Sequence, residues 1–222
     1  MTPRVNGARV EARVAARGAA TTWWQVPGAT CVAAYQPKGA ADLATSYINW
    51  ANPGTYNAAP GVAPTFDPAT GWTHNGTTQY LTTGVMPDAT WTIIVRFSNV
   101  TNGGYLAGVL TSAIRFGIVP NASSQVGYHS GNPATAQQTK SPQLTGGVLA
   151  IAGANCYRDG VSDATIVQGS STVSDTGMPI GGRNAGGTPG SFIAAIIQAV
   201  AIYNTVLTAG QVAAVSAAMA AL

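Results

Sequence analysis

The run Ser191-Phe192-Ile193-Ala194-Ala195-Ile196-Ile197-Gln198-Ala199-Val200-Ala201-Ile202-Tyr203 constrains the chain most. It carries no charge, and it is shorter than the ~20 apolar residues that span a bilayer. Both faces of a two-residue period are apolar. Phe192, Ile196, Val200 and Ile202 fall on one, and Ile193, Ile197 and Tyr203 on the other. Such a segment fits one strand, or two strands split near Gln198, covered by other layers on both sides.

The residues after it predict a helix that closes the chain. Thr208-Ala209-Gly210-Gln211 is a capping box, in which the Thr208 hydroxyl accepts from the Gln211 amide and the Gln211 side chain reaches back. Leu207 and Val212 flank the cap as a hydrophobic staple. Val212, Val215 and Met219 recur at helical spacing and form one apolar face.

Upstream, period-2 stretches recur roughly every ten to fifteen residues between Gly, Pro and Asn turns, the pattern of a two-sheet sandwich or jelly roll. Cys31–Tyr35 reads as a first strand, followed by a loop of turn formers from Ala41 to Gly54. Gly71–Thr83 reads as a hairpin turning at Asn75-Gly76, with His74 half-buried on it. In Trp91–Ser98, Trp91, Ile93, Val95 and Phe97 share one face. Ile114, Phe116 and Ile118 repeat the pattern, Val126–His129 is a shorter strand, and Val148–Gly153 is a buried one. Asp159-Gly160 is a second hairpin turn.

These landmarks, in order, resemble laminin-G-like domains of the concanavalin A-like lectin/glucanase superfamily. The carriers are the opening strand, its "D-L-x-x-S" and "N-P-G" loop (Asp42-Leu43, Ser46; Asn52-Pro53-Gly54), the Trp72–Leu81 segment, the Asp159-Gly160 hairpin, and the closing Ala201-Ile202-Tyr203-Asn204-Thr205-Val206-Leu207-Thr208. The resemblance covers residues 31–222. His74 stands where that family usually has Phe, which argues for a packed rather than a catalytic histidine. The expected fold is all-β: a two-sheet antiparallel sandwich, a jelly roll of concanavalin A-like type, with a basic N-terminal arm (1–20) and a short C-terminal helix on the sandwich domain (21–222).

Charge is segregated between arm and body. Of 222 residues only 8% are charged, and the formal net charge is +3. Arg4, Arg9, Arg13 and Arg17 against Glu11 place that excess in the first seventeen residues, while lysines and arginines balance aspartates from residue 18 onward. A basic chain average therefore does not imply nucleic-acid binding by the body, and no nucleic acid or membrane partner is expected. Arg9, Arg13 and Arg17 share one face of a helix. The arm, with Trp23 and Trp24 beside it, is read as an anchor for a partner. Neighbours in a strand point opposite ways, so one tryptophan is expected in the core and one exposed or at an interface. The N-terminus shows no apolar secretory stretch, and its Arg- and Ala-rich start also resembles a transit peptide.

Chemistry is sparse. Glycoside hydrolysis needs paired carboxylates, yet Glu11 is the sole glutamate and the aspartates sit singly in turns. A nucleophilic triad would have only His74 and His129 to draw on, without a G-x-S-x-G elbow. Gly181–Gly190 lacks the Lys-Ser/Thr of a phosphate loop. Calcium sites of the related domains use several oxygens; Asp67, Asp88 and Asp163 are single candidates only, and no metal or cofactor is expected. Cys31 and Cys156 have no metal spacing; they allow one disulfide, and two buried free thiols are the favoured reading. Tyr105, Tyr128, His129, Tyr157, Arg158 and Asn184 are the glycan-binding candidates, as aromatics and polar groups in or beside loops.

The expected function is non-enzymatic. A low-charge sandwich with an anchoring arm resembles virion proteins of tailed bacteriophages: head decorations, head fibres or tail appendages. In that reading the arm docks on capsid or tail proteins, the sandwich faces outward toward host glycans, and the chain assembles as a homo-oligomer, with a trimer the expected form. The alternative is a carbohydrate-binding, lectin-like module, cellular or extracellular.

Overall fold

The computed structural model describes residues 22–222; the arm residues Arg4, Arg9, Glu11, Arg13 and Arg17 lie outside the described part. Seventeen strands and two helices follow. In chain order they are β1 (Cys31–Tyr35), α1 (Leu43–Ser46), β2 (Ala59–Val62), β3 (Thr65–Asp67), β4 (Gly71–Asn75), β5 (Tyr80–Thr82), β6 (Thr92–Ser98), β7 (Ala107–Leu110), β8 (Arg115–Ala122) and β9 (Gln125–Gly131). There follow β10 (Gln137–Lys140), β11 (Gly147–Ala152), β12 (Asn155–Arg158), β13 (Val161–Thr165), β14 (Pro179–Ile180), β15 (Arg183–Ala185), β16 (Thr188–Gly190), β17 (Ala194–Tyr203) and α2 (Ala209–Ala220).

The strands form two sheets. The eight-stranded sheet runs β13-β12-β11-β6-β17-β4-β3, with β1 also on β17. The nine-stranded sheet runs β10-β9-β8-β7-β14-β5-β2, with the β15–β16 hairpin added on β7. Pairing is antiparallel except for β15 against β7. The chain is thus the all-β sandwich expected from its periodicity.

The long apolar run is one strand, β17, at the middle of the eight-stranded sheet. β6 pairs along its whole length, while β4 and β1 share its other edge. Gln198 is the extra residue of a bulge, since Ile197 pairs with Phe97 and Ala199 with Arg96. A bulge reverses the facing of everything after it. Ile193, Ala195 and Ile197 therefore face the inter-sheet core together with Val200 and Ile202, while Ala199, Ala201 and Tyr203 face the opposite layer. Ile196, grouped with Val200 by simple alternation, is on the other side and only half-buried.

Two apolar clusters result. The first fills the space between the sheets, with Ile93, Val95, Phe97, Ile114, Phe116, Ile118 and Tyr128 among its members. The second lies behind the eight-stranded sheet, where Ile94, Ala150, Ala201 and Tyr203 meet Val212, Val215 and Met219 of α2. The α2 cap is the predicted one, with both halves of the capping box formed, and Gln211 Nε2 also donates to Pro27 O at 2.8 Å. Trp23 and Trp24 complete this layer. Both are buried, at 7% and 6% exposure, with rings edge-to-face at 5.4 Å. They occupy a turn rather than a strand, so strand alternation does not separate them. Trp23 Nε1 donates to Gln36 Oε1, and Trp24 O accepts from the Tyr203 hydroxyl. Neither ring is presented for docking.

The Gly71–Thr83 segment corrects the hairpin reading. β4 belongs to the eight-stranded sheet and β5 to the nine-stranded one. Asn75 Oδ1 accepts from the amides of Thr77, Thr78 and Gln79, so the segment turns a corner between layers. The Asp159-Gly160 hairpin does form, with both residues at positive φ, joining β12 to β13.

Candidate functional site on the outer face of the nine-stranded sheet

Alternation fixes which side chains this sheet presents outward. Phe116, Ile118, Val126, Tyr128, Ala107, Val109 and Leu81 fill the core. Arg115, Gly117, His129, Gly108 and Tyr80 therefore lie on the other face. Register then sets one row across six strands: Gly190, Arg183, Gly108, Gly117, His129 and Gln137 are successive partners.

Two glycines at the centre of that row make room for an aromatic ring. A methyl group on Gly108 would stand 2.5 Å from Tyr105 Cδ1, and one on Gly117 3.1 Å from the same atom. The Cδ1–Cε1 edge of the Tyr105 ring thus packs over the two glycines. His129 stacks beside it, with centroids 5.6 Å apart and planes 27° from parallel. The Arg183 guanidinium sits 5.3 Å from the Tyr105 ring centroid, a cation–π contact. Arg115 donates from Nε and Nη2 to the Tyr105 hydroxyl at 3.1 and 2.7 Å, and from Nη1 to Gln137 Oε1 at 3.1 Å.

A second aromatic pair adjoins the first. Tyr80 and Phe192 stack with centroids 5.6 Å apart, and both are half-buried. Tyr80 rests on Gly61, and the Phe192 ring on Gly182, the residue before Arg183. Asn102 holds Phe192 in place, donating to its carbonyl at 3.0 Å and accepting from Ala194 N at 2.8 Å.

The electrostatics of the face are cationic. Burial, then Arg115, then Arg183 push the His129 pKa down to about 3, so the ring is neutral at physiological pH. Its Nδ1 is buried without a partner, as is Arg183 Nε. Among the described residues Arg158–Asp163 is the only ion pair, so neither Arg115 nor Arg183 is matched by a carboxylate.

The six glycan candidates separate into different places. Tyr105 and His129 meet on this face. Tyr128 points through the core instead, its hydroxyl donating to Asp163 Oδ2 at 2.8 Å. Arg158 pairs with that carboxylate at 3.2 Å and donates to Pro142 O, which ties the sheet edge together. Tyr157 is packed in the cluster behind the eight-stranded sheet. Asn184 braces the β15–β16 hairpin through Gly177 O and Gly187 N. The four candidate rings are at most 4% exposed, so none is an open stacking platform; the half-buried Tyr80 and Phe192 are the accessible rings. Arg115, Arg183, Tyr80 and Phe192 escaped the sequence reading. The available signal was alternation, since Arg115 and Tyr80 directly precede the core residues Phe116 and Leu81.

Other groups do not assemble. His74 is buried, its Nδ1 against Gln79 O at 3.2 Å. Asp67 and Asp88 each accept from a backbone amide two residues on, and no cluster of three potential metal ligands occurs among the described residues. A cleft of about 650 Å³ lies among Thr22, Trp24, Pro27, Cys31 and Ala51. No charged side chain among the described residues lines it, and the outer face offers the richer set of donors.

Solved structures of low sequence identity share the β-sandwich fold. Trypanosoma rangeli sialidase in complex with sialic acid superposes with a TM-score of 0.59 at 16% identity, over 88% of this chain and 34% of that one. Domain 4 of a GH43 extracellular arabinanase from Geobacillus stearothermophilus, in complex with arabinotriose, superposes with a TM-score of 0.52 at 14% identity, over 85% of this chain and 98% of that domain. The chain spans about a third of the sialidase's length. No family model and no curated protein matches the sequence.

Proposed function

We propose that this chain is a non-enzymatic glycan-binding module of laminin-G-like type, and that its binding face is the outer face of the nine-stranded sheet. One observation carries the reading: a glycine floor under the Tyr105–His129 pair, with a second aromatic pair, Tyr80–Phe192, packed on Gly182, the chain neighbour of Arg183. Flat apolar surface edged by fixed polar donors is what a sugar ring with one apolar side requires. The neighbours lend support, because the arabinanase domain was solved with arabinotriose and the sialidase with sialic acid.

A binding role is favoured over hydrolysis by the way the carboxylates are used. Asp42 caps α1, Asp67 and Asp88 hold turns, Asp159 accepts from Val148 N, and Asp163 is shared by Tyr128 and Arg158. The only glutamate is in the arm. In this reading the arm seats the module on a larger particle, as in virion appendages of tailed phages, a role supported by the charge segregation of the sequence.

A glycan array probed with the wild-type chain and with the Tyr80→Ala/Phe192→Ala double variant tests the binding face. Wild-type binding that disappears in a folded double variant is the expected result. Binding that survives the double substitution would place the site elsewhere.

A further inference from the structure

We propose that the outer face selects glycans bearing a carboxylate, and that Arg183 and Arg115 are the groups that read it. This deepens the glycan-binding reading and rests on it.

Arg183 is a cation with nothing to answer it. Among the described residues no acceptor receives a hydrogen bond from its guanidinium, its Nε is buried without a partner, and no carboxylate lies within ion-pair distance. Its contact with the Tyr105 ring consumes no hydrogen-bond donor. A planar fork of donors is the complement of a carboxylate. The terminal Nη groups are neither buried nor bonded to a described residue, so they are the donors a ligand can meet.

The second observation is His129. It is 4% exposed, is stacked on the same tyrosine, and has an unpartnered buried Nδ1. Arg115 stands on the same ring from its hydroxyl end and spends three N–H groups on Tyr105 and Gln137. Its charge remains uncompensated. Two fixed positive charges therefore share one tyrosine in a body whose charges sum to zero only when both are counted. A neutral sugar offers this site only hydroxyls, whereas an acidic sugar offers the planar anion that the donors lack. Tyr80 and Phe192, the pair packed on Gly182, supply a surface for the rest of the glycan.

Calorimetric titration with matched pairs tests the inference: 3′-sialyllactose against lactose, and trigalacturonate against galactotriose. For at least one pair the acidic member should bind about tenfold or more tightly than the neutral one (~1.4 kcal/mol). Arg183→Gln should erase most of that preference, the acidic member losing far more affinity than the neutral one, and Arg183→Lys should restore part of it. Arg183 makes no hydrogen bond that its loss would break, and thermal melting checks that each variant is folded. Neutral glycans binding as tightly as acidic ones would overturn the inference and leave the glycan-binding reading standing. So would a preference that survives in the Arg115→Gln/Arg183→Gln double variant. Free acetate binding as tightly as sialyllactose would also overturn it, by making the site one for simple anions. No binding by any member would sink both readings.

Discussion

Gly108 and Gly117 stand directly opposite each other on β7 and β8, and the edge of the Tyr105 ring packs over both. The pair converts two adjacent strands into a smooth floor. It also carries the row that continues to Arg183 on one side and His129 on the other.

The two glycines should respond differently to a methyl group. In Gly117→Ala the methyl meets backbone, 2.5 Å from Ala107 O and 2.7 Å from Gly108 Cα, at a φ of +153°. A loss of about 1–3 kcal/mol is expected. In Gly108→Ala it meets chiefly the Tyr105 ring, at a φ open to any residue, so the expected cost is about 1 kcal/mol, with Tyr105 displaced from Arg115 and ligand binding weakened. Urea denaturation of both variants checks the order; equal costs would contradict it.

Stability should fall on mild acidification. Burial holds the His74 pKa down to about 4 and the His129 pKa to about 3, against 6.5 for an unburied ring. Both groups fold as neutral rings, so their contribution is complete above about pH 6.5. It is lost as pH drops toward the folded values, because the unfolded chain takes up protons that the native one refuses. Between pH 7 and pH 5 each histidine should cost about 2 kcal/mol. Urea midpoints at the two pH values measure this, with His74→Gln expected to flatten the dependence. Midpoints that coincide would refute it.

Neither thiol should react in the native state. Cys31 borders the cluster behind the eight-stranded sheet and Cys156 lies in the inter-sheet core, so the sheet itself separates them. Both are free. Burial pushes Cys31 up to about 12 and Cys156 higher still, leaving almost no thiolate at neutral pH. A chromogenic disulfide reagent should titrate both only after denaturant is added; rapid native labelling of Cys156 would contradict the packing.

Thr208→Ala should cost about 1 kcal/mol. It removes the hydroxyl that accepts from Gln211 N at 3.3 Å and half of the capping box. The Val212, Val215 and Met219 face remains to hold α2 on its sheet, so helical content by circular dichroism should stay near native while the melting temperature drops.

The layers of this fold were legible because alternation and capping are local. Ile93, Val95 and Phe97 declare their face, as do Ile114, Phe116 and Ile118, and Thr208 with Gln211 declares the last helix. Three features were hidden because they depend on partners distant in sequence. The Gln198 bulge, which turns Ile196 away from Val200, is visible only against β6. Asn75-Gly76 reads as a hairpin turn until β4 and β5 are assigned to different sheets. Tyr105 and His129 were each noticed, but their meeting over Gly108 and Gly117, with Arg183 arriving from a hairpin some eighty residues later (roughly sixteen times the usual loop length), is a product of strand order.

The most direct test of the binding face is a titration of isotope-labelled protein followed by amide chemical shifts, using a glycan found to bind on the array. The shifts should concentrate at Tyr80, Tyr105, Gly108, Gly117, His129, Arg183 and Phe192, in one continuous patch on the nine-stranded sheet. Shifts confined instead to the turn at Asp88, or to the cleft beside Trp24 and Cys31, would contradict the assignment of this face.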